Sequence, residues 1–157
     1  MMQRTFESPL VDLTYILLPT LWFGLLVGVS FVATPAKFQA SSLSLPVALD
    51  VGRATFTIWN NVEWLLLAAM VPVVVFSGPR LFASTAIGAL GGLLLIQSAF
   101  LLPALNDRIV TIIAGGQPPP SPDHLVYIAV DVLKLGILGA IVWKEAARVM
   151  PVLVQLR

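Results

Sequence analysis

HLVYIAVDVLKLGILGAIVW, residues 124–143, is a twenty-residue run that is almost wholly aliphatic and yet contains Asp131 and Lys134. A helix of about 20 apolar residues crosses the hydrocarbon core of a bilayer. A charge within such a helix is costly in lipid, so it faces a bundle interior or a wet crevice. At about 100° per residue, His124, Tyr127, Asp131 and Lys134 fall in one stripe roughly 80° wide. Asp131 and Lys134 lie one turn apart and can pair. One helix with such a stripe needs partners to cover it.

The remaining sequence supplies them. Apolar segments at 9–33, 47–76 and 81–102 join the one at 124–143. The 157 residues are 58% hydrophobic and 11% charged, where a soluble domain carries about a quarter charged residues. The fold class is therefore all-α: a polytopic membrane protein made of a single four-transmembrane-helix bundle. Outer loops are expected at 34–46 and 103–123, with a cytoplasmic tail at 144–157 into which helix four can continue as an interfacial helix through Arg148. Pro35 and Pro103 are expected to end helices one and three. Residues 109–114 are apolar and read as a short interfacial helix. The prolines of 118–122 read as a stiff spacer. The first apolar core, from Leu13 to Ala33, exceeds a signal-peptide h-region and reads as a retained helix.

Orientation follows the basic residues. Arg4, Arg80, Lys144, Arg148 and Arg157 share one side, against Lys37, Arg53 and Arg108 on the other. Both termini are thus expected in the cytoplasm, with the two long loops outside. Gly24 and Gly28, then Ser84, Gly88 and Gly92, then Gly136 and Ala140, repeat at four-residue spacing and are expected at helix–helix contacts. Helices one and three both end in Pro-Ala, and helices two and four both carry a carboxylate, a weak echo of a parallel duplication.

Helix two offers a polar face to meet the stripe. Arg53, Thr57, Asn60 and Trp64 share it, with Asn61 and Glu63 flanking. Gln97 reaches the same level on helix three. Lys134 set between Glu63 and Asp131 would form a compact buried ion cluster in the outer half of the bundle. Three roles are open to it: a structural lock that fixes helix register, a binding site or ion or proton path, or acid–base catalysis by the carboxylate pair. As a ligand- or ion-binding site it would comprise Asn60, Glu63, Gln97, Tyr127, Asp131 and Lys134. Arg53, Asp107, Arg108 and His124 would form its outer mouth.

Several classes are disfavoured. There is no cysteine, so no disulfide or thiolate site, and one histidine builds no imidazole cluster within a chain. A net charge of +1 without a basic block gives no reason to expect nucleic acid. No catalytic residues and no metal site are assigned, and no cofactor is identified.

Short motifs run along the chain: Trp22-Phe23-Gly24, residues 34–38 (TPAKF), residues 52–56 (GRATF), residues 102–108 (LPALNDR) and residues 124–134. Through them the chain resembles a family of small bacterial four-helix membrane proteins of uncharacterised function, distantly like the eukaryotic transmembrane protein 205 family. That resemblance implies a four-helix integral membrane fold in the inner (plasma) membrane and no defined reaction. A weaker likeness is to four-helix membrane oxygenase-like proteins. The expected function is a non-enzymatic ligand- or ion-binding bundle or accessory subunit. The alternatives are a membrane redox or oxygenase-type enzyme using a bound cofactor, and a scaffold subunit. Expected partners are the lipid bilayer and either further copies of the chain or a larger membrane complex.

Overall fold

The computed structural model describes residues 9–76 and 80–155, and every regular element among them is helical. Arg4, Arg157 and the turn at 77–79, which entered the orientation argument, lie outside the described residues. The first span comprises α1 (Pro9–Leu26), a π-helical segment Val27–Ala33 and α2 (Thr34–Gln39). The second is α3 (Leu45–Phe76). The third comprises α4 (Leu81–Ile96), a π-helical segment Gln97–Leu101 and α5 (Leu102–Ile113). The fourth is α6 (Asp123–Gln155). Four stretches of 28 to 33 residues among them are long and apolar enough to cross a membrane.

The spans form a closed ring. α1 packs on α3, α3 on α4 and α5, α4 on α6, and α6 back on α1. Loops 40–44 and 114–122 lie at one end, called here the loop end; the opposite end is the terminal end. Large apolar side chains point outward, among them Leu10, Leu65, Phe100, Leu125 and Trp143. Buried among the helices are Trp22, Leu26, Leu90, Leu94, Leu138 and Ile141, together with Glu63, Gln97, Asp131 and Lys134. An apolar outer surface around a core that includes ionisable groups is the pattern expected of a helix bundle with a bilayer as solvent.

Three expectations are corrected. Pro35 and Pro103 do not end their helices. A proline inside a helix lacks an N–H and its ring collides with the carbonyl four residues back. Those carbonyls belong to Phe31 and Ala99, each inside a π-helical segment. There the turn widens: the Thr34 N–H bonds to Val29 O and the Leu102 N–H to Gln97 O, five residues back. The helices therefore continue to Gln39 and Ile113, and residues 109–113 belong to α5 rather than to a separate interfacial helix. α5 ends at Ile113, and Gly115 just beyond its cap has a φ of 82°, which suits a glycine after a helix C-terminus. Second, the helical continuation past Trp143, read as reaching Arg148, runs on to Gln155 as part of α6.

Third, the small-residue motifs are not the helix–helix contacts. A methyl group added at Gly24, Gly28, Gly88, Gly92 or Gly136 would meet nothing within 4 Å. Gly24, Gly88, Gly92, Gly136 and Ala140 are exposed on the outside of the bundle. Glycines outside these motifs do admit close neighbours: an added Cβ would lie 2.1 Å from Lys37 Nζ at Gly52 and 3.4 Å from Leu67 Cδ2 at Gly91. Gly88→Ala and Gly24→Ala should leave the folded chain as stable as before or raise its stability by up to about 1 kcal/mol. Unfolding of the purified chain in mixed detergent checks this; a loss of 2 kcal/mol or more would contradict the outward placement.

Candidate functional site

Three structural levels follow one another along the bundle, and each starts from the spacing of residues on α6. Tyr127, Asp131, Lys134, Leu138, Ile141 and Glu145 are its buried positions, at alternating steps of four and three. That stripe faces the other helices over five turns.

At the middle level, the Lys134 ammonium lies 2.5 Å from Glu63 Oε1 and 3.0 Å from Asp131 Oδ1. Lys134 and Glu63 are fully buried, and Asp131 is 1% exposed. Lys134 reaches Glu63 across the bundle, from the fourth span to the second. Trp22 Nε1 on α1 donates to Glu63 Oε1 at 3.0 Å. Gln97 Nε2 donates to Asp131 Oδ1, and Ser30 Oγ to Asp131 Oδ2, each at 2.8 Å. Ser30 and Gln97 lie in the two π-helical segments, so each segment sends one donor to the same carboxylate. With both carboxylates ionised the trio carries one net negative charge, and the indole, amide and hydroxyl donors spread it. Hydrogen bonds to charged groups contribute about 1.5–3 kcal/mol each, which offsets part of the burial cost.

At the terminal end a second ionic group forms. Arg80 Nη1 meets Glu145 Oε2 at 2.7 Å, and Arg80 Nη2 meets Asp12 Oδ1 at 2.6 Å. The guanidinium also stacks over the Tyr15 ring, 4.3 Å from its centroid. Between these two ionic levels the buried residues are apolar: Leu67 and Met70 on α3, Ile87 and Leu90 on α4, Leu138 and Ile141 on α6.

At the loop end the helices diverge around a pocket of about 330 Å³. α2 contributes Thr34, Lys37 and Phe38; α3 contributes Leu49, Gly52, Arg53 and Phe56. α5 contributes Leu102, Leu105, Asn106, Arg108, Ile109 and Ile112; α6 contributes His124 and Tyr127. The continuation of the helices past Pro35 and Pro103 builds two of these walls. Tyr127 is buried, its ring set edge-on to Phe56 with centroids 5.3 Å apart. Its carbonyl lies 3.5 Å from Gln97 Nε2, so the pocket lining and the ionic cluster share a residue. Asn106 Oδ1 is buried and has no hydrogen-bond partner.

The sequence-predicted residues divide accordingly. Glu63, Gln97, Asp131 and Lys134 are brought together in one cluster. Tyr127 lies one turn loopward, in the pocket lining. Asn60 is elsewhere: it accepts from Ser98 Oγ at 2.6 Å, and Ser98 in turn accepts from Trp64 Nε1 at 3.0 Å, a clamp between α3 and the third span. The expected polar face of helix two is therefore rotated. Its buried line is Gly52, Trp59, Glu63, Leu67 and Met70, while Thr57 and Asn61 are exposed. Of the expected mouth residues, Arg53, Arg108 and His124 line the pocket. Asp107 does not; it is exposed on another side of α5, 100° around the helix from Arg108.

Sequence reasoning missed Trp22 and Ser30. They extend the line Tyr15, Pro19, Trp22, Leu26, whose steps of four and three repeat those of α6. It also missed the roles of Arg80, Asp12 and Glu145; Glu145 lies on the Asp131 stripe. Among the described residues, no three His, Asp or Glu side chains gather to hold a metal ion. Comparison with family models, with curated proteins and with solved structures finds no match.

Lys134→Met leaves two carboxylates buried together and should cost about 3–5 kcal/mol of stability, while Lys134→Met with Glu63→Leu should recover a large part of that loss. A double-mutant cycle on unfolding in mixed detergent measures the coupling; additive losses would mean that the pair is solvated. Arg80→Met should destabilise by a similar amount, about 3–5 kcal/mol, and Arg80→Lys by less, in the same assay.

Proposed function

We propose that this chain is a non-enzymatic integral membrane protein that binds a small ligand in its loop-end pocket, with the Glu63–Lys134–Asp131 cluster serving as the lock that holds the pocket's walls in register. The observation that carries this reading is the division of labour between the two levels. The cluster's charged groups are buried and engaged with one another, whereas the pocket is open and presents cationic, amide and phenol groups beside an apolar wall. Pockets of about 300–1,000 Å³ with a few convergent polar groups are the usual form of small-molecule sites. The apolar layer between the two ionic levels supports binding from one side over passage across the membrane.

The four motifs at 34–38, 52–56, 102–108 and 124–134 supply the whole pocket lining except Leu49, Ile109 and Ile112. Kinship with the small bacterial four-helix family is part of the proposal on this ground, as is residence in the inner membrane. The termini are proposed to face the cytoplasm, which turns the pocket outward.

Two experiments test the reading. The chain has no cysteine, so a single Ser41→Cys in the exposed 40–44 loop gives a unique label. It should react with an impermeant maleimide on intact cells; reaction only after lysis reverses the orientation. For the pocket, the chain in phosphatidylcholine nanodiscs should release a stoichiometric small molecule in native mass spectrometry. Filling the space by Leu105→Trp, or separately Ile109→Trp, should lower that occupancy about tenfold or more while stability changes by less than about 1.5 kcal/mol. A ligand retained undiminished in both stable variants would rule the pocket out as its site.

A further inference from the structure

We infer that the ligand of the loop-end pocket is a single-chain amphiphile with an anionic headgroup, a carboxylate or a phosphate. This rests on the pocket being a binding site, as proposed above, and adds the chemistry of what fills it.

The charge of the lining is one-sided. Lys37, Arg53, Arg108 and His124 are there, and no aspartate or glutamate is. Arg53 is offset by Asp50, which lies outside the lining, at 2.6 Å. Arg108 donates to the Pro119 carbonyl. Lys37 has no carboxylate within ion-pair distance among the described residues. Its ammonium instead rests between two aromatic faces, 5.1 Å from the Phe38 centroid and 5.7 Å from that of Phe56. Gly52 makes room for it, since any Cβ there would collide with Nζ. A half-buried cation held in an apolar wall without a carboxylate of its own is a receptor for an anion.

The rest of the lining speaks for a hydrocarbon tail. Leu102, Leu105, Ile109 and Ile112 form a continuous aliphatic face of α5 at steps of three and four. A volume of about 330 Å³ lies at the small end of ligand sites, room for one chain and not for a two-chain phospholipid. Gly52 to Phe56 precede Glu63 by seven to eleven residues, about 10–16 Å along the helix axis. Measured from the midpoint of α3, between Asn60 and Asn61, Gly52 and Arg53 lie about 11–13 Å along the axis, toward the hydrocarbon boundary where headgroups begin. Asn106 Oδ1, buried and unpartnered, would accept from the P–OH of a monoprotonated phosphate headgroup.

The test uses the full chain in phosphatidylcholine nanodiscs and 11-(dansylamino)undecanoate as fluorescent probe, with empty nanodiscs subtracted. One saturable site is expected. Laurate and dodecyl phosphate should displace the probe at concentrations at least about tenfold lower than dodecyltrimethylammonium or dodecanol, and acetate or inorganic phosphate should not displace it. Lys37→Met should weaken the probe about tenfold, Lys37→Arg should retain it, and Gly52→Ala should weaken it by moving the ammonium. Equal displacement by the cationic or neutral twelve-carbon competitors overturns the anionic headgroup, and the pocket reading survives. Displacement by acetate or phosphate alone overturns the chain. Absence of saturable probe binding overturns this inference by itself; if Leu105→Trp and Ile109→Trp also leave every co-purified ligand in place, the pocket reading falls too.

Discussion

One ammonium group, that of Lys134, holds this bundle to a single arrangement. It reaches across the ring to Glu63 and back along its own helix to Asp131. No lipid or apolar neighbour could replace either partner at tolerable cost, because each would leave a buried charge alone. The donors that complete the cluster come from the other two spans: Trp22 and Ser30 from the first, Gln97 from the third. All four spans therefore meet at one level through directional bonds. In a bilayer, where lipid is as apolar as leucine, such bonds carry information about register that apolar packing between helices does not.

A second constraint follows from the first. The cluster fixes the middle and the Arg80 group fixes the terminal end, with apolar packing between them. The loop end has no comparable ionic tie between spans among the described residues. It is where the helices part, and the separation becomes the pocket. The ionic ties and the pocket thus lie at different levels of one bundle, and Tyr127, which lines the pocket and offers its carbonyl to Gln97, joins them.

Much of this was legible in the sequence, for a definite reason. Charged residues in a spanning segment have one escape from lipid, so the Asp131–Lys134 spacing pointed directly to an internal stripe. The pairing with Glu63 followed from depth alone. What was not legible depends on geometry that spacing does not encode. Proline reads as a helix end, and only a locally widened turn shows why Pro35 and Pro103 are passed. Glycine at four-residue intervals reads as a contact face, yet the same small residues serve equally well on an outer wall. Arg80 counted as a surface charge because it stood beside a turn; its burial comes from Glu145 and Asp12, some 65 residues away in each direction. Asn60 and Asp107 were misplaced for a simpler reason. One position along a helix is 100° around it, enough to exchange an inner face for an outer one.

The two π-helical segments have a mechanical consequence. Each adds roughly one residue to a turn, and each sits immediately loopward of, or at, the level of the cluster. Terminal-ward of them the spans are tied by two sets of ion pairs; beyond them α2 and α5 have no ionic tie to another span among the described residues and rest on α3 by packing. Ser30 and Gln97 stand inside the two widened turns and both donate to Asp131, so a shift of either wall against α3 would reach that carboxylate through them.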